Sequence, residues 1–127
     1  MTARIMVADD DGMVAAAIKD ILTGHGCEVI TVHDGFELCE RAPKVMPHLI
    51  ITDIQMPGAY GNTAAQVLRN EPATAKIPVL FMSGHPYEKV KKLLPEDPLT
   101  RFLQKPVTAA ALKAAIDELL PMGGFTP

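Results

Sequence analysis

Five short apolar runs divide the chain, and each is followed by a stretch in which apolar residues recur at helical spacing. The runs lie at residues 5–8, 29–32, 49–52, 79–82 and 102–103. Four of them are almost continuously apolar, which is typical of strands buried on both faces of a parallel sheet. The fifth is weaker, and we predict a strand there partly from its place in the alternation.

The segments between these runs predict five helices. They lie from about residue 14 to a stop at Gly24 or Gly26, from about 35 to 41, from about 62 to 70, from about 86 to 94, and after residue 108. Glycine commonly follows a helix, so either glycine can end the first one. Pro43 is expected to end the second, and Thr108 to cap the last. Strand and helix therefore alternate five times, which predicts a doubly wound α/β sheet with helices on both faces.

Polar residues of different chemistry follow the apolar runs. In an open parallel sheet, ligands bind outside the carboxyl ends of the strands, so residues at these positions share one edge. Three adjacent acids follow the first run, an acid follows the third, a hydroxyl the fourth and an ammonium the fifth. These residues are Asp9, Asp10, Asp11, Asp53, Ser83 and Lys105. We therefore expect acids, a hydroxyl and an ammonium to share one site.

The three adjacent acids constrain the chemistry of that site. Two carboxylates about 4 Å apart repel each other by roughly 4 kcal/mol at an effective dielectric constant near 20. Water can screen this repulsion or a cation can offset it, and Lys105 at the same edge favours a cation. Carboxylates without His or Cys partners also suit a hard cation such as Mg²⁺. For Asp11 we expect a different role, as the N-cap of the first helix.

An ammonium, a hydroxyl and a hard cation in one place suit a phosphoryl group. Phosphoryl transfer depends on positioning and on neutralisation of charge, which these groups would supply. An Asp carboxylate can itself be the nucleophile and form an aspartyl phosphate. We expect the phosphoryl group to lie near Asp53, the acid that follows the third run.

Composition narrows the class of protein. The 127 residues are 48% hydrophobic and fit one domain with a single core. The net charge of -3 gives no basic surface for nucleic acid. We expect neither a membrane span, which needs about 20 apolar residues, nor a signal peptide. Cys27 and Cys39 form no disulfide framework or zinc motif, so we expect packed thiols in a cytoplasmic protein.

Four motifs in chain order resemble the receiver domain of two-component response regulators, from Arg4 to about Leu120. "VADDDG" is similar to that family's acidic-pair motif, "TDIQMPGAYG" to its phosphoacceptor loop, "MSG" to its hydroxyl motif and "LQKP" to its lysine motif. The resemblance implies a flavodoxin-like fold, a five-stranded parallel sheet in the order 2-1-3-4-5 with five flanking helices. We expect residues 1–122 to form the receiver domain and residues 123–127 a flexible tail.

The resemblance also implies a phosphoacceptor and a metal site. Asp53 would accept a phosphoryl group from a phosphohistidine on a histidine kinase or a histidine phosphotransfer protein, in a phosphorelay that depends on Mg²⁺. Asp9 and Asp10 would hold Mg²⁺ together with Asp53 and the backbone carbonyl of Gln55. Such a domain is a signalling module that assists its own phosphorylation and dephosphorylation, and is not an enzyme acting on other substrates.

The remaining residues of the motifs would carry the switch. Lys105 would pair with the acids at rest and with the phosphoryl oxygens afterwards, and the bond before Pro106 would be cis. Ser83 would hydrogen-bond the phosphoryl group, and Phe102 would rotate inward behind it; alternatively, Phe102 is a permanently buried core aromatic. The output surface would consist of the fourth helix, the fifth strand and the fifth helix.

The sequence allows two roles for each of two residues near the site. Gln55 and His85 lie two residues past Asp53 and Ser83, where a side chain can reach an attacking water. They would either tune the lifetime of the phosphoryl group or only line the rim of the site.

Two other functions compete with the phosphorelay. One is a degenerate receiver that acts only as an interaction module, although Asp53, the acidic pair and Lys105 are all present. The other is an aspartyl-phosphate hydrolase of the haloacid-dehalogenase type, whose DxD motif would need an acid where this chain has Gln55. The sequence names neither the cognate kinase nor the output, and it fits both a single-domain regulator and a fragment of a longer one.

Overall fold

A computed structural model describes residues 2–56 and 61–120, which form a five-stranded sheet with α-helices on both faces. The strands are β1 (Arg4–Ala8), β2 (Glu28–Val32), β3 (Leu49–Asp53), β4 (Val79–Ser83) and β5 (Thr100–Gln104). The helices are α1 (Gly12–Gly24), α2 (Gly35–Val45), α3 (Gly61–Asn70), α4 (Tyr87–Val90) and α5 (Ala109–Leu119). The strand order is β2-β1-β3-β4-β5 with every pair parallel, which confirms the predicted fold.

Two apolar cores lie on opposite faces of this sheet. On one face, α1 and α5 bury residues such as Ile18 and Ile116 against Val7 and Ile51 of the central strands. On the other face, α2, α3 and α4 pack over the remaining residues of the same strands, including Phe81. Because β1, β3 and β4 are covered on both sides, their sequences are nearly continuous apolar runs, as the pattern indicated.

Side-chain caps fix the start of the two helices next to the first two strands. The Asp11 carboxylate accepts hydrogen bonds from the backbone N–H groups of Met13 and Val14, so it caps α1 as predicted. Asp34 caps α2 by accepting from the N–H of Glu37, whose own carboxylate accepts from the N–H of His33. This reciprocal pair satisfies two backbone donors and sets the point at which α2 begins.

The predicted end of α2 was wrong. The helix continues through Pro43 to Val45, although a proline inside a helix removes a hydrogen bond and strains the preceding turn. Tertiary contacts offset that cost: Ala42 is fully buried, and the Arg4 guanidinium donates to the carbonyl of Val45 at 2.9 Å. The helix ends at Val45, and its C-cap residue Met46 adopts the left-handed conformation at φ 50°.

Two further boundaries differ from the sequence pattern. The fourth helix is a single α-turn, Tyr87–Val90, followed by a 3-10 turn over Lys91–Leu93, and Leu94 is extended because Pro95 follows it. Strand β5 is longer than predicted and covers Thr100–Gln104. It lies at an edge of the sheet and is partly exposed, so it contains polar residues on both sides of the short apolar run from which the strand was predicted.

Some sequence-based predictions concern residues outside the described part of the chain. The proposed tail at residues 123–127 and most of the "MPGAYG" loop belong here. Within the described ranges, no helix combines the length and the apolar character that crossing a bilayer requires.

Candidate functional site

The sheet brings the polar residues predicted from the sequence to one edge. Ala8 and Thr52 are paired across β1 and β3, so the residues that follow them, Asp9 and Asp53, lie side by side where these strands end. Lys105 follows β5, and its N–H donates to the carbonyl of Ser83 at 2.8 Å, which fixes its backbone against the end of β4. The bond between Lys105 and Pro106 is cis, as the resemblance implied.

The Lys105 ammonium bridges the two buried acids. Its Nζ donates to Oδ2 of Asp9 at 2.9 Å and to Oδ2 of Asp53 at 3.0 Å. The Asp9 side chain is fully buried and that of Asp53 is 11% exposed, so water screens these contacts little. One cation therefore offsets roughly one of the two carboxylate charges, and the site keeps a net negative charge.

A third acid completes a cluster with the geometry of a metal site. One carboxylate oxygen from each of Asp9, Asp10 and Asp53 lies within 4.8 Å of the other two. The Asp9 carboxylate is held by the N–H of Asp11 at 2.9 Å, and that of Asp53 accepts from the N–H of Gln55 at 3.3 Å. An all-oxygen donor set with two buried members and one exposed member suits a hard cation that retains water, such as Mg²⁺. Asp11 faces its helix instead.

Burial and charge shift the pKa values of the central pair. Burial raises the pKa of the Asp53 carboxyl above its ordinary value, and the nearby Asp9 charge adds to this, while Lys105 opposes it. Burial alone would lower the pKa of the Lys105 ammonium, but its hydrogen bonds to both carboxylates outweigh burial, and the net shift is upward. The Lys105 ammonium therefore stays protonated, whereas keeping the Asp53 carboxylate charged in this buried position costs folding free energy.

Ser83 lies at the end of β4, beside this pair. The residue is buried, and its Oγ accepts a hydrogen bond from the N–H of His85 at 3.0 Å. The hydroxyl proton is thus left to donate elsewhere. Gln55 and His85 are both exposed, at the rim of the site.

Phe102 lies away from the acids, on the face of β5 that α4 covers. It is only partly buried and packs against the second core, so it is not a permanently buried aromatic. Its ring stacks at a tilt against Tyr87 of α4, with the ring centroids 5.7 Å apart. Sequence reasoning gave Tyr87 no part in the site, because the contact depends on how α4 crosses β5.

Sequence reasoning also gave no role to Arg69, near the end of α3. Its side chain pairs with Asp97 at 3.4 Å and donates to the carbonyls of Ile77 and Leu99, next to the starts of β4 and β5. With 12% of its side chain exposed, Arg69 joins three elements below the site. No sequence motif marks it, because a lone helical arginine is usually solvated.

Comparison with known proteins gives the family. The sequence model of the family described as the response regulator receiver domain matches residues 5–117 of this chain. Protein PilG of Pseudomonas aeruginosa is 30% identical over 98% of this chain and 90% of its own length. The sensor histidine kinase TmoS of Ectopseudomonas mendocina is 29% identical over 94% of this chain, which spans only 12% of that protein.

Solved structures agree with this result. A response regulator from Desulfuromonas acetoxidans has a TM-score of 0.82 and 34% identity, covering 94% of this chain and 98% of that one. The receiver domain of a sensor histidine kinase from Pseudomonas aeruginosa has a TM-score of 0.87 over 95% of this chain and 99% of its own. At 18% identity that likeness concerns the fold, and the crystal structure of that protein has a magnesium ion coordinated in its active-site cleft.

Proposed function

The chain belongs to the response regulator receiver domain family, and from that premise we propose that Asp53 accepts a phosphoryl group in a Mg²⁺-dependent phosphorelay. The observation that carries the proposal is the surroundings of Asp53: an ammonium 3.0 Å from one oxygen and two further carboxylates within 4.8 Å. Such a site attracts a dianionic phosphoryl group only when a cation is added to the acids. The donor would be a phosphohistidine on a histidine kinase or a histidine phosphotransfer protein.

The transfer itself is a displacement at phosphorus. A carboxylate oxygen of Asp53 attacks, an O–P bond forms, the N–P bond to the donor imidazole breaks, and the bond's electron pair leaves with the imidazole nitrogen. The N–H of Gln55 holds the Asp53 carboxylate in place, and Lys105 supplies positive charge next to the incoming oxygens. These contacts lower the barrier through positioning and neutralisation of charge.

Asp9, Asp10 and Asp53 would hold the magnesium ion, with the backbone carbonyl of Gln55 as a further ligand. When bound, the ion would supply positive charge to the phosphoryl oxygens. Without it, the site has three carboxylates and one ammonium, and a phosphoryl group would meet net repulsion. The requirement for Mg²⁺ follows from this imbalance.

The switch would begin at Ser83 and end at the surface formed by α4, β5 and α5. The phosphoryl group adds about -1.5 to -2 charges and acceptor oxygens, to which the Ser83 hydroxyl can donate. Phe102 and Ser83 project from the same face of the β4–β5 pair, two positions apart in register, so movement of Ser83 would free space toward which Phe102 can rotate. Phosphorylation would thereby shift an existing equilibrium between two states.

The other properties follow from the same proposal. Residues 1–122 would act as the receiver unit in the cytoplasm, with a kinase or phosphotransfer protein as donor and an output protein on the α4–β5–α5 surface. Gln55 and His85, both exposed, would influence how long the phosphoryl group survives. The unit would be a signalling domain, without a substrate outside the relay.

Intact-mass spectrometry tests the proposal. The protein is incubated with acetyl phosphate and Mg²⁺, and we expect the mass of one phosphoryl group to be added. Asp53→Asn should abolish the addition, whereas Asp117→Asn, which removes an exposed carboxylate paired with Lys113 on α5, should leave it intact. Addition to Asp53→Asn at the wild-type rate would refute the proposal.

A further inference from the structure

The ring contact between Tyr87 and Phe102 links the switch strand to the first turn of α4. The ring centroids are 5.7 Å apart with the planes tilted by 55°, which is a favourable aromatic geometry. Both rings line an open cleft of about 460 Å³ between α4, the following 3-10 turn and β5. One side of the Phe102 ring therefore faces solvent in the cleft, and the Tyr87 ring packs against it.

The position of Tyr87 is fixed from below. Val90, one turn further along the same stripe of α4, is 96% buried in the core under α2, α3 and α4. Tyr87 itself is 50% exposed, so it has little anchorage of its own other than the helix and the Phe102 ring. The helix thus presents the Tyr87 ring to the Phe102 ring.

We infer that Tyr87 is a positioning residue of the switch, which holds Phe102 outward in the resting state and so sets how readily the domain changes state. This inference rests on the proposed function, in which Phe102 moves inward when Ser83 is drawn to the phosphoryl group. The structure shows the Phe102 ring against Tyr87, and rotation of Phe102 toward Ser83 would move the ring away and break that contact. A contact made in only one of two states biases the equilibrium toward that state.

The size of the bias follows from the contact. Aromatic pairs of this geometry contribute an amount that corresponds to roughly a two- to tenfold change in an equilibrium constant. Loss of the Tyr87 ring should therefore raise the population of the inward state two- to tenfold. Because only that state would bind a phosphoryl mimic well, the apparent affinity for the mimic should rise by the same factor while the inward state stays a minor one.

The experiment is a titration of the metal-loaded protein with beryllofluoride, a phosphoryl mimic, followed by ¹⁹F NMR of fluorophenylalanine. The Phe102 signal is assigned by a Phe102→Leu variant. In Tyr87→Ala, where alanine favours helix and so spares the short α4, half-saturation should occur at a two- to tenfold lower concentration. The Phe102 signal should also shift part of the way toward its bound position before any mimic is added.

Three controls separate this role from a structural one. Tyr87→Phe keeps the ring and should titrate like wild type; Tyr87→Leu keeps an apolar side chain and should fall between. Leu93→Ala truncates a residue of the 3-10 turn that is similarly exposed and does not line the cleft, and should leave half-saturation unchanged. An equal gain in Leu93→Ala or Tyr87→Phe would overturn the inference, because the effect would then come from loosening the segment.

The outcomes also separate the inference from its premise. If wild type binds beryllofluoride and Asp53→Asn does not, but Tyr87→Ala titrates like wild type, the role of Tyr87 is wrong and the proposed function stands. If wild type fails to bind, or binding survives in Asp53→Asn, the proposed function falls and the role of Tyr87 falls with it.

Discussion

Replacing Asp10 by Asn should make the metal-free protein more stable and less responsive to Mg²⁺. Asp10 is the exposed member of the acidic cluster, and its carboxylate lies within 4.8 Å of those of Asp9 and Asp53. The fold brings these charges together although they repel each other. Asparagine keeps the size and an oxygen ligand but removes the charge.

The structure limits the size of this effect. Lys105 is bonded to both Asp9 and Asp53, so Asp10 faces a net charge of about one carboxylate. At 4.8 Å the repulsion is about 3.5 kcal/mol at an effective dielectric constant of 20 and about 0.9 kcal/mol in bulk water. Because Asp10 is exposed, we expect a gain toward the lower end, about 1 to 2 kcal/mol in the free energy of unfolding.

Binding of Mg²⁺ should act in the opposite direction. A cation at about 100 times its Kd stabilises the folded state by about 2.7 kcal/mol, and a tenfold weaker Kd leaves about 1.4 kcal/mol at the same concentration. The difference between unfolding free energies with and without Mg²⁺ should therefore be about half as large in Asp10→Asn as in wild type.

Urea unfolding in EDTA and in MgCl₂ measures both quantities. Asp11→Ser is the matched control, since serine is a comparable N-cap and Asp11 already serves α1. It should keep the wild-type stability and the wild-type response to Mg²⁺. An Asp10→Asn protein that is less stable in EDTA yet gains as much from Mg²⁺ as wild type would contradict the role given to Asp10, as would an equal loss of the Mg²⁺ response in Asp11→Ser.

Two further predictions concern the switch and the buried acid. Ser83→Ala should still accept a phosphoryl group at Asp53 but respond weakly at the output surface; amide NMR with and without beryllofluoride would contradict this if shifts at residues 87–116 matched those of wild type. Burial raises the pKa of Asp53, so the folded state binds a proton at this carboxyl more tightly than the unfolded state does. As the pH rises through the raised pKa, the carboxyl loses that proton and the folded state loses stability. Asp53→Asn should thus stabilise the metal-free protein at neutral pH, and the gain should shrink as the pH falls through the raised pKa toward about 4; urea unfolding at several pH values would exclude this if the gain grew on acidification.

Much of the fold and of the site could be predicted because both depend on local patterns. The apolar runs of β1, β3 and β4 reflect burial on both faces, and the alternation with helices puts the carboxyl ends of the parallel strands at one edge. The order of the strands was predicted from the family resemblance. Once the ends of β1 and β3 are neighbours, Asp9 and Asp53 must be close. The N-cap role of Asp11 is equally local, since it depends only on the helix that follows it.

The features that sequence reasoning missed depend on contacts between distant elements. Pro43 indicated a helix end, but burial of Ala42 and the bond from Arg4 to Val45 extend α2 beyond it. The contact of Tyr87 with Phe102 depends on the crossing of α4 over β5, which no local pattern encodes. In each case a residue separated in sequence supplies the stabilising partner, and tertiary packing overrides the local preference.

Chemical trapping of the phosphorylated residue shows whether Asp53 is the phosphoacceptor. The protein is phosphorylated by a histidine phosphotransfer protein with Mg²⁺, reduced with borohydride to convert the acyl phosphate to an alcohol, and digested with trypsin. The tryptic peptide of residues 45–69 contains Asp53 as its sole carboxylate side chain, so the modified peptide identifies the acceptor without ambiguity. If Asp53 is the phosphoacceptor, homoserine is found at position 53; homoserine in place of Asp9 or Asp10, with residues 45–69 unmodified, would contradict that role.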